Sequence, residues 1–370
     1  MRYIAKLDWI LLGAVLFLCS VSLLVLYGLS SSLSDLGLNF FVRQLIFVIV
    51  GILLMLFFAY FDYDYFRSNS TFIYFLALAI LALILIFGTT VRSTTGWIDL
   101  GFVAIQPVEI VKILLIIFFA HFFAKKRQDL GDVTAVIVST ILIGLAVTLV
   151  MMQPDLGSSL ILIGIWFGML FMSSIRKSFV GVIMGMGLVV IFISWFFLAE
   201  YQRDRLMTFV RPELDPQGSG YNVIQSMIAI GSGGLYGKGI GQGSQSQLHF
   251  LPERHTDFIF AVVTEEFGFL GATLVLLSFG VIFYRLYVIA RSSNTHFGYF
   301  FVVGVMIMIL IQMVINVGMN IGLMPVTGIP LPFMSYGGSS TLSMFIALGI
   351  VMSVYRRRPE IMKTHMTESY

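Results

Sequence analysis

The chain has 370 residues, 58% of them hydrophobic and only 11% charged, with a mean hydropathy of +0.97. This composition excludes an ordinary soluble domain, in which about a quarter of the residues carry charge. The formal net charge of +3 points to no nucleic-acid partner, and a single cysteine, Cys19, removes any disulfide framework or cysteine-based metal site.

The first apolar run, Trp9 to Tyr27, is long enough to span a bilayer. No small-residue cleavage pattern follows a short core, so it reads as a retained helix rather than a signal peptide. Further runs of spanning length centre on residues 44–60, 72–88, 107–124, 134–151, 158–173, 179–199, 257–284, 298–322 and 339–355. The pattern predicts an all-α polytopic membrane protein of ten transmembrane helices, forming a single domain over 1–370. With the spans alternating, Arg2, Lys6, Arg67, Lys125, Lys126, Arg127, Arg176, Lys177, Arg285, Arg291, Arg356, Arg357, Arg358 and Lys363 fall on one side, and the short loops opposite hold only Arg43 and Arg92. Positive charge accumulates on the cytoplasmic side. Both termini are therefore expected inside, with 356–370 as a cytoplasmic tail and the large loop 200–256, between helices 7 and 8, outside.

The outer loops are where chemistry is expected. Loop 89–105 carries Trp97 and Asp99. After it, Gln106-Pro107-Val108-Glu109-Ile110-Val111-Lys112 opens the fourth span with proline at a helix start. Glu109 and Lys112 share one helix face. A salt bridge pinning helices and a role in orienting an active acid or holding an anionic head group weigh evenly there. Gln153-Pro154-Asp155-Leu156-Gly157 repeats the theme at the next outer turn. Asp155 stands where the helix dipole favours an anion, and capping alone would explain it.

The 200–256 loop begins with Glu200-Tyr201-Gln202-Arg203-Asp204-Arg205, a charged cap, and Tyr221 to Ile230 could form a short amphipathic helix in the interface. From Gly231 to Gly243 there are seven glycines in thirteen residues, with Lys238 among them. Backbone N–H groups there can converge on an anion, although a flexible linker is the commoner use of such sequence. No Walker motif is present, because Gly239 follows Lys238.

The loop closes with Leu251-Pro252-Glu253-Arg254-His255-Thr256-Asp257-Phe258. Here a carboxylate stands where polar sequence re-enters the membrane, a position that is costly unless wet or paired and is therefore functional by default. Asp257 is the first candidate for catalysis. Glu265 and Glu266 follow by about two helical turns, so one of them is expected to approach the same cavity. Gln312, Asn316 and Asn320 form a polar stripe on the ninth span, with interhelical hydrogen bonding the leading reading and cavity lining the second. Pro325, Gly328, Pro330 and Pro332 break the helix ahead of Ser335-Tyr336-Gly337-Gly338, and such backbone is tolerated at membrane depth where it lines a wet cavity. Asp62-Tyr63-Asp64 resembles a nucleotide-sugar metal motif but lies on the cytoplasmic side with no soluble domain. His249, His255 and Asp257 lack the further ligands of a metal site.

Gln106-Pro107-x-Glu109-x-x-Lys112, Gln153-Pro154-Asp155-Leu156-Gly157, Gln245-x-Gln247 through Leu251-Pro252-Glu253-Arg254-His255-Thr256-Asp257-Phe258, and Pro325-Val326-x-Gly328-x-Pro330-x-Pro332 with Ser335-Tyr336-Gly337-Gly338 occur here in one order. In this the chain closely resembles the SEDS family (shape, elongation, division and sporulation) over essentially all ten spans, and its wording is similar to the elongation-type RodA branch rather than the division-type FtsW branch. The resemblance implies a peptidoglycan glycosyltransferase that polymerises lipid II into nascent glycan on the outer face of the bacterial cytoplasmic membrane. Its implied partners are membrane lipids and a class B penicillin-binding protein. Asp257 matches the family's essential acid, which would deprotonate the acceptor sugar's 4-hydroxyl with inversion at the donor's anomeric carbon. Lys112, Lys238, Arg203 or Arg211 are available to the leaving pyrophosphate, and a divalent cation, Mg or Mn, is the one cofactor considered beside them. Trp97, Arg254, His255, Asn316, Asn320 and Ser335 complete the expected substrate-binding or supporting set. One departure is Gly96, where relatives commonly carry a base, with Arg92 nearby. A lipid-linked precursor flippase and a noncatalytic assembly scaffold are the competing functions.

Overall fold

A computed structural model of the chain describes residues 7–30, 36–91, 94–99, 101, 104–129, 132–173, 181, 185, 219–248 and 250–358. The first helices are α1 (Trp9–Ser30), α2 (Leu36–Tyr60), a short α3 (Tyr63–Ser68) and α4 (Ser70–Phe87). A small sheet follows, β1 (Thr89–Val91), β2 (Thr94–Asp99) and β3 (Ala104–Ile105), and then α5 (Val108–Asp129), α6 (Asp132–Met151) and α7 (Leu156–Met172). After the 200–218 stretch come α8 (Ser219–Ser232), α9 (Ser244–Gln247), α10 (Ile259–Arg291), α11 (His296–Asn320) and α12 (Gly338–Arg356). Among the described residues, seven helices are long and apolar enough to cross a membrane. Two more of the expected spans are helical but fall outside that set: α5 ends in a charged segment, and α7 has 17 residues. The expected span at 179–199, Arg203 and Arg211 lie outside the described residues.

The outward faces are apolar. Ile86 is 72% and Phe87 73% exposed, tolerable in lipid, where the helices satisfy their own backbone. The interior is also mainly apolar, with a minority of buried polar residues such as Glu109, Lys112, Asn316 and Asn320 among it. Helix α2 packs along α12, α5 and α7 along α11, and α1 along α10. Small residues set the close approaches: a β-carbon on Gly164 or Gly168 of α7 would strike Ile311 or Ile307 of α11, the small-residue packing by which membrane helices associate. At the far end of α1, Asp8 accepts from the Leu11 amide at 3.0 Å and pairs with Arg285 of α10 at 2.5 Å.

Two expectations need correction. The chain is not purely helical, because loop 89–105 folds into an antiparallel sheet in which Thr89 pairs with Trp97 and Ile98 with Ile105. The second concerns Glu265 and Glu266, which do not reach the cavity of Asp257. Both are buried and turned toward the glycine-rich segment. Helix α10 is kinked at Gly268, with φ 67° and ψ −165°, and the segment 233–239 is threaded against that kink. The Lys238 and Gly239 amides donate to the Glu265 and Glu266 carbonyls at 3.0 Å each, and Phe269 N donates to Gly234 O at 2.8 Å. A β-carbon at Gly237 (φ +79°) would collide with the Glu266 carbonyl, so only glycine fits.

Among the described residues, only one amide of Gly231–Gly243, that of Gly241, donates to a carboxylate, and that anion is internal. Glu265 accepts from Gln245 N at 2.9 Å, Ser246 N at 3.0 Å and Lys238 Nζ at 3.1 Å, while Glu266 accepts from Gly241 N at 3.0 Å. Burying two adjacent carboxylates is costly unless donors surround them; the loop supplies donors to both oxygens of Glu265 but to one oxygen of Glu266, whose Oε2 is buried without a hydrogen-bond partner. Tyr221 to Ile230, expected as a short amphipathic helix in the interface, fall within α8, which packs on α10 and α11.

Candidate active site

Asp257 is the penultimate residue of a turn, 252–258, that directly precedes α10. Glu253 adopts φ +53°, a left-handed conformation uncommon for a residue with a side chain, and its carbonyl accepts from the amides of Thr256 and Asp257, both at 3.1 Å. Three consecutive carbonyls of the turn are then each held from elsewhere. His255 O accepts from Tyr336 N at 2.9 Å. Thr256 O accepts from Ser335 Oγ at 2.6 Å. Asp257 O accepts from both Asn316 Nδ2 and Asn320 Nδ2 at 3.0 Å.

The clamps are themselves braced. Ser335 Oγ also accepts from Leu331 N at 2.8 Å, and Asn316 Nδ2 also donates to Ile329 O at 2.8 Å. Asn320 Oδ1 accepts from Ala261 N at 3.1 Å, and Asn320 O accepts from Ser226 Oγ at 2.8 Å. Gln44 of α2 receives Gly337 N at 3.2 Å, and Ser22 of α1 donates to Met334 O. The Asn316/Asn320 stripe thus fixes a turn rather than lining a cavity, and Gln312 is buried on the same helix. Arg254 is buried beneath the turn, where desolvation lowers its pKa.

Main-chain anchoring leaves the Asp257 side chain partly exposed in a cavity of about 470 Å³. Gly328, at φ +72°, passes over it: a β-carbon there would lie 3.7 Å from Asp257 Oδ2. One wall is aromatic. His255 stacks on Phe40 at 4.6 Å between ring centroids, and Tyr336 meets both rings edge-on at 4.9 and 5.7 Å. The opposite wall is the sheet, with Trp97 and Asp99 of β2, then Gln106. Arg43 of α2 also lines the cavity. An arginine within an apolar helix, on the side otherwise poor in base, is the sequence signal that could have marked it as functional.

Adjoining the cavity is an apolar groove of about 670 Å³ between α2 and α12. Ile46, Val50 and Leu54 form one side and Leu342 and Ile346 the other. Arg43, Phe47, Gly338 and Ser339 belong to both spaces, so a cation stands where the polar chamber becomes hydrocarbon-like.

Other expected site residues stand behind this chamber rather than in it. Asp155 is the N-cap of α7, accepting from Ser158 N at 2.9 Å and Ser158 Oγ at 2.7 Å. It reaches the chamber through Gln106, whose Nε2 donates to Asp155 at 3.3 Å and whose N donates to Ser339 Oγ at 2.9 Å. Glu109 and Lys112 form a 2.8 Å ion pair almost wholly buried in the first turn of α5. Lys238 serves Glu265 and does not line the chamber. Asp62 and Asp64, declined as a metal motif, have structural work: Asp62 caps α3 and pairs with Arg357 at 3.3 Å, and Asp64 pairs with Arg67 at 3.2 Å.

A bundle of apolar helices around a chamber that adjoins an apolar groove defines a multi-pass membrane protein. Residues 7–360 match the cell cycle protein family FtsW/RodA/SpoVE, and the chain belongs to it. It is 37% identical over 359 residues to stage V sporulation protein E of Bacillus subtilis (strain 168), covering 94% of this chain and 97% of that one. It is also 37% identical over 364 residues to the peptidoglycan glycosyltransferase MrdB of Escherichia coli (strain K12), covering 97% and 96%. Its fold is similar to a chain of a peptidoglycan synthase complex whose structure concerns the coordination of polymerization and crosslinking (TM-score 0.81, 30% identity, 96% and 99% covered). It is likewise similar to the rod shape determining protein RodA of Thermus thermophilus (TM-score 0.72, 26% identity, 96% and 98% covered).

Proposed function

We propose that this chain is a peptidoglycan glycosyltransferase of the elongation type, polymerising lipid II on the outer face of the bacterial cytoplasmic membrane with Asp257 as general base. The observation that carries this reading is the adjoining pair of spaces, a chamber holding a partly exposed carboxylate and an apolar groove, with Arg43 lining both. Lipid II has matching parts: a polar disaccharide-peptide, a diphosphate and a polyprenyl tail. The tail occupies the α2–α12 groove, the diphosphate meets Arg43, and the sugars fill the chamber.

In the reaction, Asp257 takes the proton from the acceptor's 4-hydroxyl as that oxygen attacks the donor's anomeric carbon from the face opposite the leaving group. The bond from that carbon to the diphosphate oxygen breaks, and undecaprenyl diphosphate leaves with the electron pair, so configuration inverts. Charge grows on the diphosphate in the transition state, where a guanidinium contributes most. The aromatic wall of Phe40, His255 and Tyr336, with Trp97 opposite, offers the flat faces that sugars pack against. For a divalent cation such as Mg or Mn the chamber supplies two carboxylates, Asp99 and Asp257. Among the described residues no cluster of three or more His, Cys, Asp or Glu side chains could hold a metal ion.

Ten spans with both termini cytoplasmic, from the charge asymmetry, put Asp257 outside. A class B penicillin-binding protein is the proposed partner, supported by the similarity to a chain of a synthase complex. The test is to incubate the purified chain, alone and with such a partner, with fluorescent lipid II. Glycan polymer that disappears in Asp257→Asn supports the reading. Translocation of lipid II without polymer would instead make the chain a flippase, and full complementation by Asp257→Asn would make it a scaffold.

A further inference from the structure

A second cavity, of about 490 Å³, lies at the other end of the bundle, where α3, α5 and α11 meet, and Arg67, His121, Lys125 and His296 all line it. At about 1.5 Å per residue, the 25 residues of α11 separate His296 from Asn320 by some 36 Å. This cavity therefore opens at the opposite membrane face from Asp257 and plays no part in the chemistry proposed there.

Its composition is one-sided. Two guanidinium or ammonium groups and two imidazoles face one space, together with Asn294 and Thr295, and no carboxylate is among its described lining residues. The neighbouring acid, Asp64, takes Arg67 through Nη1 at 3.2 Å, one of the five donors that a guanidinium carries. Gathering like charges costs free energy, and an anion among them offsets it. The volume is that of a site for a small organic molecule rather than a bare ion, and Ala124 and Phe297 give it an apolar side. Basic pockets of this kind between membrane helices suit phosphate-bearing head groups.

We infer that the Arg67–His121–Lys125–His296 cavity binds a phosphate group presented at the membrane face opposite the candidate active site. A phospholipid head group and a soluble phosphate share this chemistry, and the experiment separates them. The full chain is reconstituted in nanodiscs of phosphatidylcholine with or without phosphatidylglycerol, and bound lipid is read by native mass spectrometry. In parallel, inorganic phosphate is titrated while thermal unfolding is followed.

The expected result is a retained phosphatidylglycerol whose occupancy falls at least tenfold in the Arg67→Gln/Lys125→Gln double variant and rises severalfold in Asp64→Asn. Lys125 is exposed, so Lys125→Gln alone, expected to weaken retention by severalfold, covers the case in which the double variant does not fold. Stabilisation by inorganic phosphate with the same dependence on these variants identifies the soluble source and keeps the site. Binding that none of the three variants alters, or the absence of any response to either anion, overturns the inference.

Discussion

Asn320 donates to the main-chain carbonyl of Asp257 at 3.0 Å while its own side-chain oxygen accepts from Ala261 N at 3.1 Å. One amide thus bridges the end of the turn that carries the candidate base and the first turn of the helix that follows it. Replacing it by alanine leaves a buried N–H without its acceptor, at about 1–3 kcal/mol, and loosens the placement of the carboxylate. Asn320→Ala is expected to lower the melting temperature and to slow glycan formation by about 10–100-fold. Because Asn316 shares the same acceptor, combining it with Asn316→Ala should be clearly non-additive. Initial rates on labelled lipid II and thermal unfolding of the three variants check this.

Asp257→Asn removes the proton acceptor but keeps the carbonyl through which the turn is anchored. Polymerisation is expected to fall by at least about 10²–10⁴-fold with the melting temperature within about a degree of the parent. A large loss of stability in this variant would instead assign the side chain a packing role.

Arg43→Gln removes charge where chamber and groove meet. Loss of one charge-assisted contact to a diphosphate is worth about 1.5–3 kcal/mol. Apparent affinity for lipid II should therefore weaken by about 10–100-fold, with folding intact because Arg43 is exposed. Titration of the substrate in a binding assay measures it directly.

Glu109 and Lys112 make a different prediction, since both are buried. Lys112→Met alone strands a carboxylate and should cost about 3–5 kcal/mol. The paired change Glu109→Gln/Lys112→Met should recover most of that stability, because it leaves no uncompensated charge. Melting temperatures in one detergent, compared across the single and double variants, distinguish this from a purely local effect.

Gly237→Ala is expected to prevent the glycine-rich segment from seating on α10. A left-handed residue with a β-carbon costs about 1–2 kcal/mol, and here that carbon also meets the Glu266 carbonyl. Reduced accumulation of folded protein in the membrane, with little change in the control Ser232→Ala at an exposed position, is the expected pattern.

Much of this architecture could be read from the residues, for reasons that differ by element. The helices were legible because twenty apolar residues in lipid have few alternatives, and Asp257 stood out because its position is costly unless useful. The sheet escaped because strands of three, six and two residues are too short to display an alternating pattern. The destination of the Gly231–Gly243 amides was hidden as well. The Lys238, Gly239 and Gly241 amides meet Glu265 and Glu266, more than 20 residues further on, a separation across which local sequence carries no pairing signal. Arg43 read only as a base of a short outer loop, and nothing local tied it to a chamber assembled from α2, β2 and residues 255–257 and 336–340.

The donors gripping carbonyls 255 to 257 all come from later in the chain, from α11 and from Ser335 and Tyr336, the hydroxyl of Ser335 lying 79 positions beyond its acceptor. During synthesis the candidate base therefore emerges long before the groups that aim it. An unfinished polypeptide halted after α10 would carry the acid in an unsupported turn, so catalytic competence is deferred until nearly the whole protein has entered the bilayer.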